Sequence, residues 1–430
     1  MTTAIPDSYN LQLPDVGLQP SPDIMNFVSR KGLYTGIDYV IRPYKTNATI
    51  FVEYKKKPRD NQTPNLGSEQ TFEFELAQFP DDVLLHSTYL ILTLKNNNVG
   101  SVSLYSACNF IKECRWYRDS TILNAVTMQG LPLYIENCLK VNPFSKTQYQ
   151  TELGFNTNYV GNTTIAAGAS RTFYIELITP LSYQLLPPKT INKSAQDFAI
   201  RVIFNSQITS TGLASLNDLI QITNVELEYK MVKTIGKEID NFYRYTFTHH
   251  RFLNRNINVR KNVLFNANET VVLTWQNLKG YCPFFFVCVR NNATANNIET
   301  FVKVRNLGYF DSNGNNYLTS GNNTFSDDEL DRKFTREWGH EFASLSNICF
   351  WSFATDPISV LQSNGGVVAG SKYLNSNDEL RLTFDSTFTG EVIFIYYTYS
   401  LLQTQHQNIK EPLKEIGLDS WKGNTISQAK

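Results

Sequence analysis

Five histidines are all the imidazole this 430-residue chain offers, and two of them, His249 and His250, stand side by side. A metal site needs ligands that converge, whereas neighbouring residues of a strand point to opposite faces. His340-Glu341 has the start of a zinc-hydrolase helix motif but lacks its second histidine. The densest acidic run, Asp327, Asp328, Glu329 and Asp331, lacks calcium-loop spacing and fits carboxylates at the positive end of a helix. The six cysteines, Cys108, Cys114, Cys138, Cys282, Cys288 and Cys349, contain no C-x-x-C pair. They read as small, buried, reduced apolar groups rather than as zinc ligands or a redox couple. Lys55-Lys56-Lys57, ending in Pro58, reads as a solvated turn. No phosphate loop, dinucleotide fingerprint or nucleophile elbow is present. The expectation is a protein that is not an enzyme, with no catalytic, cofactor-binding or metal site.

Charge narrows the partners. Lys+Arg and Asp+Glu both total 39, so the net charge is zero. A protein that coats nucleic acid needs a cationic excess to displace counterions, so no sequence-specific nucleic-acid binding is expected. Neutrality suits a surface that packs against copies of itself. The first twenty residues hold Pro6, Pro14 and Pro20 and no apolar core, and no apolar run is long enough to span a bilayer. A soluble protein made in the cytoplasm is expected.

With 28 Phe, 23 Tyr and 5 Trp, the composition favours sheets. Residues 1–36 read as an N-terminal arm with one short helix, capped by Ser21, with Pro22 in its first turn and Gly32 at its end. From residue 37 onward nearly every segment reads as strand, turn, strand. Thr71-Phe-Glu-Phe-Glu-Leu76 alternates cleanly, and Asn96-Asn97-Asn98 and Asn313-Gly314-Asn315-Asn316 supply turns. One internal helix is expected at about 327–340, with Leu330, Phe334 and Trp338 on one face. The tail, 406–430, carries Leu413, Ile416 and Trp421, and the arm carries Ile24 and Phe27. Neither set can form a core alone, and Pro412 argues against a sheet position, so both tails are expected to order on neighbours.

The two halves repeat one another. Tyr89-Leu-Ile-Leu-Thr-Leu-Lys-Asn-Asn97 matches Phe284-Phe-Phe-Val-Cys-Val-Arg-Asn-Asn292 at an offset of 195. Phe110-Ile-Lys-Glu-Cys-Arg115 matches Phe301-Val-Lys-Val-Arg305 at 191, and Ile200 to Ser206 matches Leu380 to Ser386 at 180. Three matches in order at drifting offsets are what a duplicated domain with unequal loops leaves. About eight strands per half fit a two-sheet jelly roll. The expected fold is therefore all-β: two tandem eight-stranded jelly rolls, 37–235 and 236–405, with short helices in loops and tails.

Cys349-Phe-Trp-Ser-Phe-Ala-Thr-Asp-Pro357, followed by Gln362-Ser-Asn-Gly365, resembles the second-domain stretch of the double jelly-roll major capsid proteins. That lineage includes tectiviruses, adenoviruses and the large nucleocytoplasmic DNA viruses. Trp351, Ser352, Phe353, Ala354, Pro357, Ser363 and Gly365 carry the likeness; Asn364 interrupts the family's turn, and no proline precedes Ser363. Phe173 to Leu177, Leu185-Leu-Pro-Pro188 and Phe198 to Phe204 look like the first domain's strand, proline-rich loop and strand. The resemblance implies a virion protein without cofactors, forming homotrimeric, pseudo-hexagonal capsomers that tile an icosahedral shell. Its implied partners are itself, neighbouring capsomers, penton and minor capsid proteins, and an internal membrane beneath the shell. The alternative is a viral spike or lectin-like β-sandwich that binds a receptor or carbohydrate. A third is a carbohydrate-active jelly-roll enzyme, which needs a carboxylate pair across a cleft.

Overall fold

The alternation at 71–75 does what a half-buried strand requires. Phe72 and Phe74 turn into the core while Glu73 faces outward to pair with Arg201 at 2.5 Å. In the computed structural model, the described residues are 48–56, 58, 70–75, 83–104, 106–118, 121–122, 128–139, 163–177, 198–205, 218–235, 248–292, 301–315, 325–326, 347–365, 369–404 and 414–417.

In the first half, one sheet runs in the order β1 (Ala48–Lys56), β11 (Ile220–Ile235), β3 (Val83–Asn96), β9 (Ser170–Glu176). The other runs β2 (Thr71–Glu75), β10 (Phe198–Phe204), β5 (Ile111–Arg118), β6 (Thr121–Ile122), with β7 (Met128–Gln129) also pairing with β5. A small pair, β4 (Val102–Leu104) and β8 (Thr163–Ile165), stands apart.

The second half repeats this order. Its first sheet runs β12 (Thr248–Phe265), β21 (Phe388–Thr404), β15 (Phe284–Asn291), β18 (Cys349–Ser352). Its second runs β13 (Thr270–Leu273), β20 (Glu379–Thr383), β16 (Asn306–Phe310), β17 (Phe325–Ser326). β14 (Gly280–Cys282) and β19 (Lys372–Leu374) form the separate pair here. Strand for strand, the first and second sheets of the two halves have one topology, that of an eight-stranded antiparallel jelly roll. The duplication read from the sequence is therefore present in the fold.

The registers refine the matches. Leu90 opposes Leu227 and Phe285 opposes Tyr396, all four facing their own jelly-roll cores, so the matched residues lie on corresponding strands with the same face inward. Ile200 opposes Trp116 on β5 and Leu380 opposes Tyr309 on β16, so the match of Ile200 with Leu380 falls on corresponding strands. Phe110 lies in a 3-10 turn ahead of β5, and Phe301 lies ahead of β16, so this match falls before the two corresponding strands. Residues 301–304 precede β16 rather than belonging to it.

Two further expectations are corrected. Lys55 and Lys56 are not in a turn: they close β1, opposite Glu228 and Leu227. The C-terminal tail does enter a sheet. β22 (Lys414–Gly417) pairs antiparallel with β21, with Ile416 opposite Leu401, beyond the end of β15 on the same edge. In sequence, Pro412 precedes this strand by two positions. The arm with Ile24 and Phe27, the tail residues Leu413 and Trp421, and the helix expected at 327–340 lie outside the described residues.

A helix of the first jelly roll escaped the sequence reading. α1 (Gly130–Leu139) sits on the flank of the first jelly roll, and its residues with described side chains are all buried. A helix buried all round has no apolar stripe, so its periodicity is invisible. Pro132 falls in its first turn, where a missing N–H is harmless. Gly130 is required by close approach, since a Cβ there would lie 2.3 Å from the Ile111 carbonyl oxygen.

Candidate functional site

The two jelly rolls share one apolar cluster. The outer face of the β12-β21-β15-β18 sheet presents Phe284, Phe286, Phe350, Ile395 and Tyr397, all at most 1% exposed, to the first jelly roll's α1 and core. Residues 284–289 are therefore apolar without alternation, because β15 is covered on both faces: Phe285, Val287 and Val289 fill the second jelly roll's own core.

A charged group lies inside this joint. Glu136 of α1 accepts from Arg255 Nε at 2.7 Å and Nη2 at 3.0 Å, and from the Tyr397 hydroxyl at 2.9 Å. The Glu136 and Arg255 side chains are 0% and 5% exposed. Arg255 also donates to the Leu253 carbonyl and, at 3.0 Å, to Asn364 Oδ1. Burial opposes the charge on Arg255, but the attraction and hydrogen bonds of Glu136 prevail and hold its pKa above the usual value. The Tyr397 phenol is pushed well above its ordinary range, first by burial and then by the Glu136 carboxylate.

The motif that carries the family likeness builds the other side of this joint. Trp351 faces the second core, while the Ser352 hydroxyl bonds the Ala354 carbonyl at 2.8 Å and receives the Ala354 N–H at 3.1 Å. Phe353 N–H donates to the Pro283 carbonyl at 2.7 Å, and the ring packs near Phe285 and Tyr309. Pro357 opens α2 (Pro357–Gln362), which Asp356 caps by accepting from Ser359 N–H at 3.0 Å. Ser363 ends α2 with its hydroxyl on the Ser359 carbonyl at 2.6 Å. Gly365 then adopts φ +82°, and a Cβ there would meet the Phe252 backbone at 2.9 Å. Of this motif, Gly365 packs directly against β12, the strand that carries Arg255. Asn364, which breaks the family's turn, receives the Arg255 hydrogen bond at φ +49°.

Sequence reading missed Glu136, Arg255 and Tyr397. A lone carboxylate in the apolar run Leu131-Pro-Leu-Tyr-Ile-Glu136 was the available signal.

A second buried polar group lies in the second jelly roll. Asp378 accepts from the Tyr309 hydroxyl at 2.7 Å, Lys372 Nζ at 3.3 Å and Asn375 N–H at 3.0 Å. This group fixes the turn between β19 and β20. Among the described residues no cluster of three or more His, Cys, Asp or Glu could hold a metal, and no helix is long and apolar enough to cross a membrane. Cys108, Cys114, Cys282, Cys288 and Cys349 are buried thiols outside any disulfide. Burial pushes the Cys288 thiol up to about 12.

What these features define is a double jelly roll: two copies of one sandwich in a single chain, with a polar lock buried between them. Solved structures share this fold along most of the chain. The quasi-atomic model of the PBCV-1 virus capsid matches at 12% identity and a TM-score of 0.58, over 84% of this chain and 95% of that one. The Faustovirus major capsid protein matches at 10% and 0.56, over 89% and 97%. The 3.5 Å cryo-EM structure of the Sputnik virophage matches at 10% and 0.51, over 84% and 87%. No protein-family model matches the chain, and no curated protein matches it in sequence. At these identities the likeness is one of fold.

Proposed function

We propose that the chain is the major capsid protein of an icosahedral DNA virus, located in the virion, and that it works by packing rather than catalysis. The observation that carries this reading is the locked pair of jelly rolls. A hinged pair of binding modules has no use for a buried ion pair and a shared aromatic core, whereas a shell subunit must be a rigid block. The capsid structures that share the fold along most of their own length add support.

Three such blocks around a three-fold form a pseudo-hexagonal capsomer that tiles a flat face. Both tails lie at the base of the shell and tie capsomers to neighbours, penton and minor proteins, above any internal membrane. Synthesis is in the host cytoplasm. Negative-stain images and sedimentation of the purified chain test this. Hexagonal trimers are expected; a stable monomer at micromolar concentration refutes it.

A further inference from the structure

Two ion pairs among the described residues each hide a carboxylate side chain completely, and they are built with different cations. Glu136 faces Arg255, whose guanidinium stays charged in any protein setting and meets the carboxylate through two bonds. Asp378 faces Lys372, whose side chain is 10% exposed and makes a single contact, Nζ to Oδ2 at 3.3 Å. A buried lysine can give up its proton; an arginine cannot.

The surroundings of this second pair are dry. Lys372 stands opposite Cys282 in the β14-β19 pair, and its chain neighbours Leu374 and Leu380 belong with Cys282 and Tyr309 to the second core. Nζ lies 5.4 Å from the centre of the Tyr309 ring and also donates to the Tyr373 carbonyl at 3.3 Å. Asp378 Oδ2 takes three hydrogen bonds, from Tyr309, Lys372 and Asn375, while the buried Oδ1 has no hydrogen-bond partner among the described residues. A bare oxygen costs more on a buried anion than on a neutral amide.

We propose that Lys372 and Asp378 condense into an intramolecular isopeptide bond, a self-made modification that closes the corner between β19 and β20. Passing a proton from Nζ to the carboxylate cancels both charges, the change that a dry site favours. The amine lone pair then attacks Cγ. Nζ stands 3.3 Å from Oδ2, one bond from that carbon, so the reactants are already at contact distance. The C–N bond forms as the C–Oδ2 bond breaks, and Oδ2 leaves as water with the acid proton and one proton from the nitrogen. The Tyr309 hydroxyl, 2.7 Å from Oδ2, is placed to donate to the departing oxygen and to take the nitrogen's proton in return. Burial and the Asp378 hydrogen bond push this phenol well above its ordinary value, so it holds its proton until that step. Amine plus acid gives amide plus water, with no oxidant or co-reactant.

The test is the mass of the full chain after denaturation, which dissolves an ion pair but not an amide. The wild type should be lighter than its sequence by one water molecule. Trypsin should then fail to cut after Lys372, leaving 337–381 as one peptide whose fragmentation never separates 372 from 378. Lys372→Arg and Asp378→Ala should each restore the mass of the sequence. Tyr309→Phe, followed by mass from the moment of synthesis, should condense roughly 100-fold more slowly. A wild type of full sequence mass, cut normally after Lys372, overturns the inference without any variant having to fold. A water still missing in Lys372→Arg places the loss elsewhere and overturns it as well. Condensation of Tyr309→Phe at the wild-type rate overturns the proton relay assigned to that hydroxyl.

Discussion

Glu136 on the flank of the first jelly roll holds Arg255 of the second through two hydrogen bonds, across 119 residues of sequence and out of reach of water. An ion pair in such a place gains little net energy over apolar packing, because both charges lose their hydration. Breaking one side is another matter, since the remaining charge stays buried and unpaired. Glu136→Gln or Arg255→Met should each cost about 3–5 kcal/mol in denaturant unfolding. The double variant Glu136→Leu/Arg255→Met should recover part of that loss, with Asn364 and the Tyr397 hydroxyl left as the residual cost. Equal and additive losses would mean that the two groups do not act as a pair.

The buried phenols and thiols make the fold sensitive to alkali. Tyr396 is pushed from 10.0 up to about 12 by burial, then by Cys282, and Cys288 from 9.0 up to about 12 by burial. In the window between unfolded and folded values the native state keeps protons that the unfolded chain has lost. Stability is therefore complete below the unfolded values and drains away as pH rises through the folded ones. Melting temperatures should fall steadily from about pH 9 to about pH 12. Tyr396→Phe should flatten part of that slope. A melting temperature constant across this range would show that these groups do not titrate with unfolding.

Much of the fold was legible because a jelly roll writes its strands as alternation and its duplication as order. Tyr89 to Asn97 and Phe284 to Asn292 fall on corresponding strands, β3 and β15. What escaped was hidden by burial itself. α1 has no polar face to betray its period, and residues 301–304 carry strand-like residues into a strand that begins two positions later. The Glu136–Arg255 pair was out of reach for a different reason: no local pattern links a helix on one domain's flank to an edge strand of the next.

Two glycines with the same backbone sign separate strain from crowding. Gly168, at φ +69°, has open space where a Cβ would sit. Gly168→Ala should cost only the conformational penalty, about 1–2 kcal/mol. Gly365, at φ +82°, has the Phe252 and Leu253 backbone within 3.0 Å of that position. Gly365→Ala should cost clearly more, and it should displace β12 at the joint, loosening the Arg255 lock. Equal effects of the two substitutions in thermal melts would refute the close packing of this turn.

The tail offers a cleaner division between fold and assembly. β22 adds four residues to the edge of β21 that β15 leaves free, pairing Lys414 to Gly417 with Gln403 to Ser400. A four-residue edge strand contributes little to a sheet already ordered by β12 and β15, so the domain should survive its loss. Exposed N–H and C=O groups along that edge would then be open to pairing by another chain. Deleting residues 406–430 should leave trimers soluble, with a melting temperature lowered by a few degrees at most, yet impair shell formation. Glu415→Pro, a substitution in the middle of β22 that keeps the rest of the tail, separates the strand from its flanks. If β22 anchors the tail, the proline variant should assemble as poorly as the deletion. Normal particles from the deletion, with unchanged thermal stability, would make the tail dispensable and remove it from the assembly scheme.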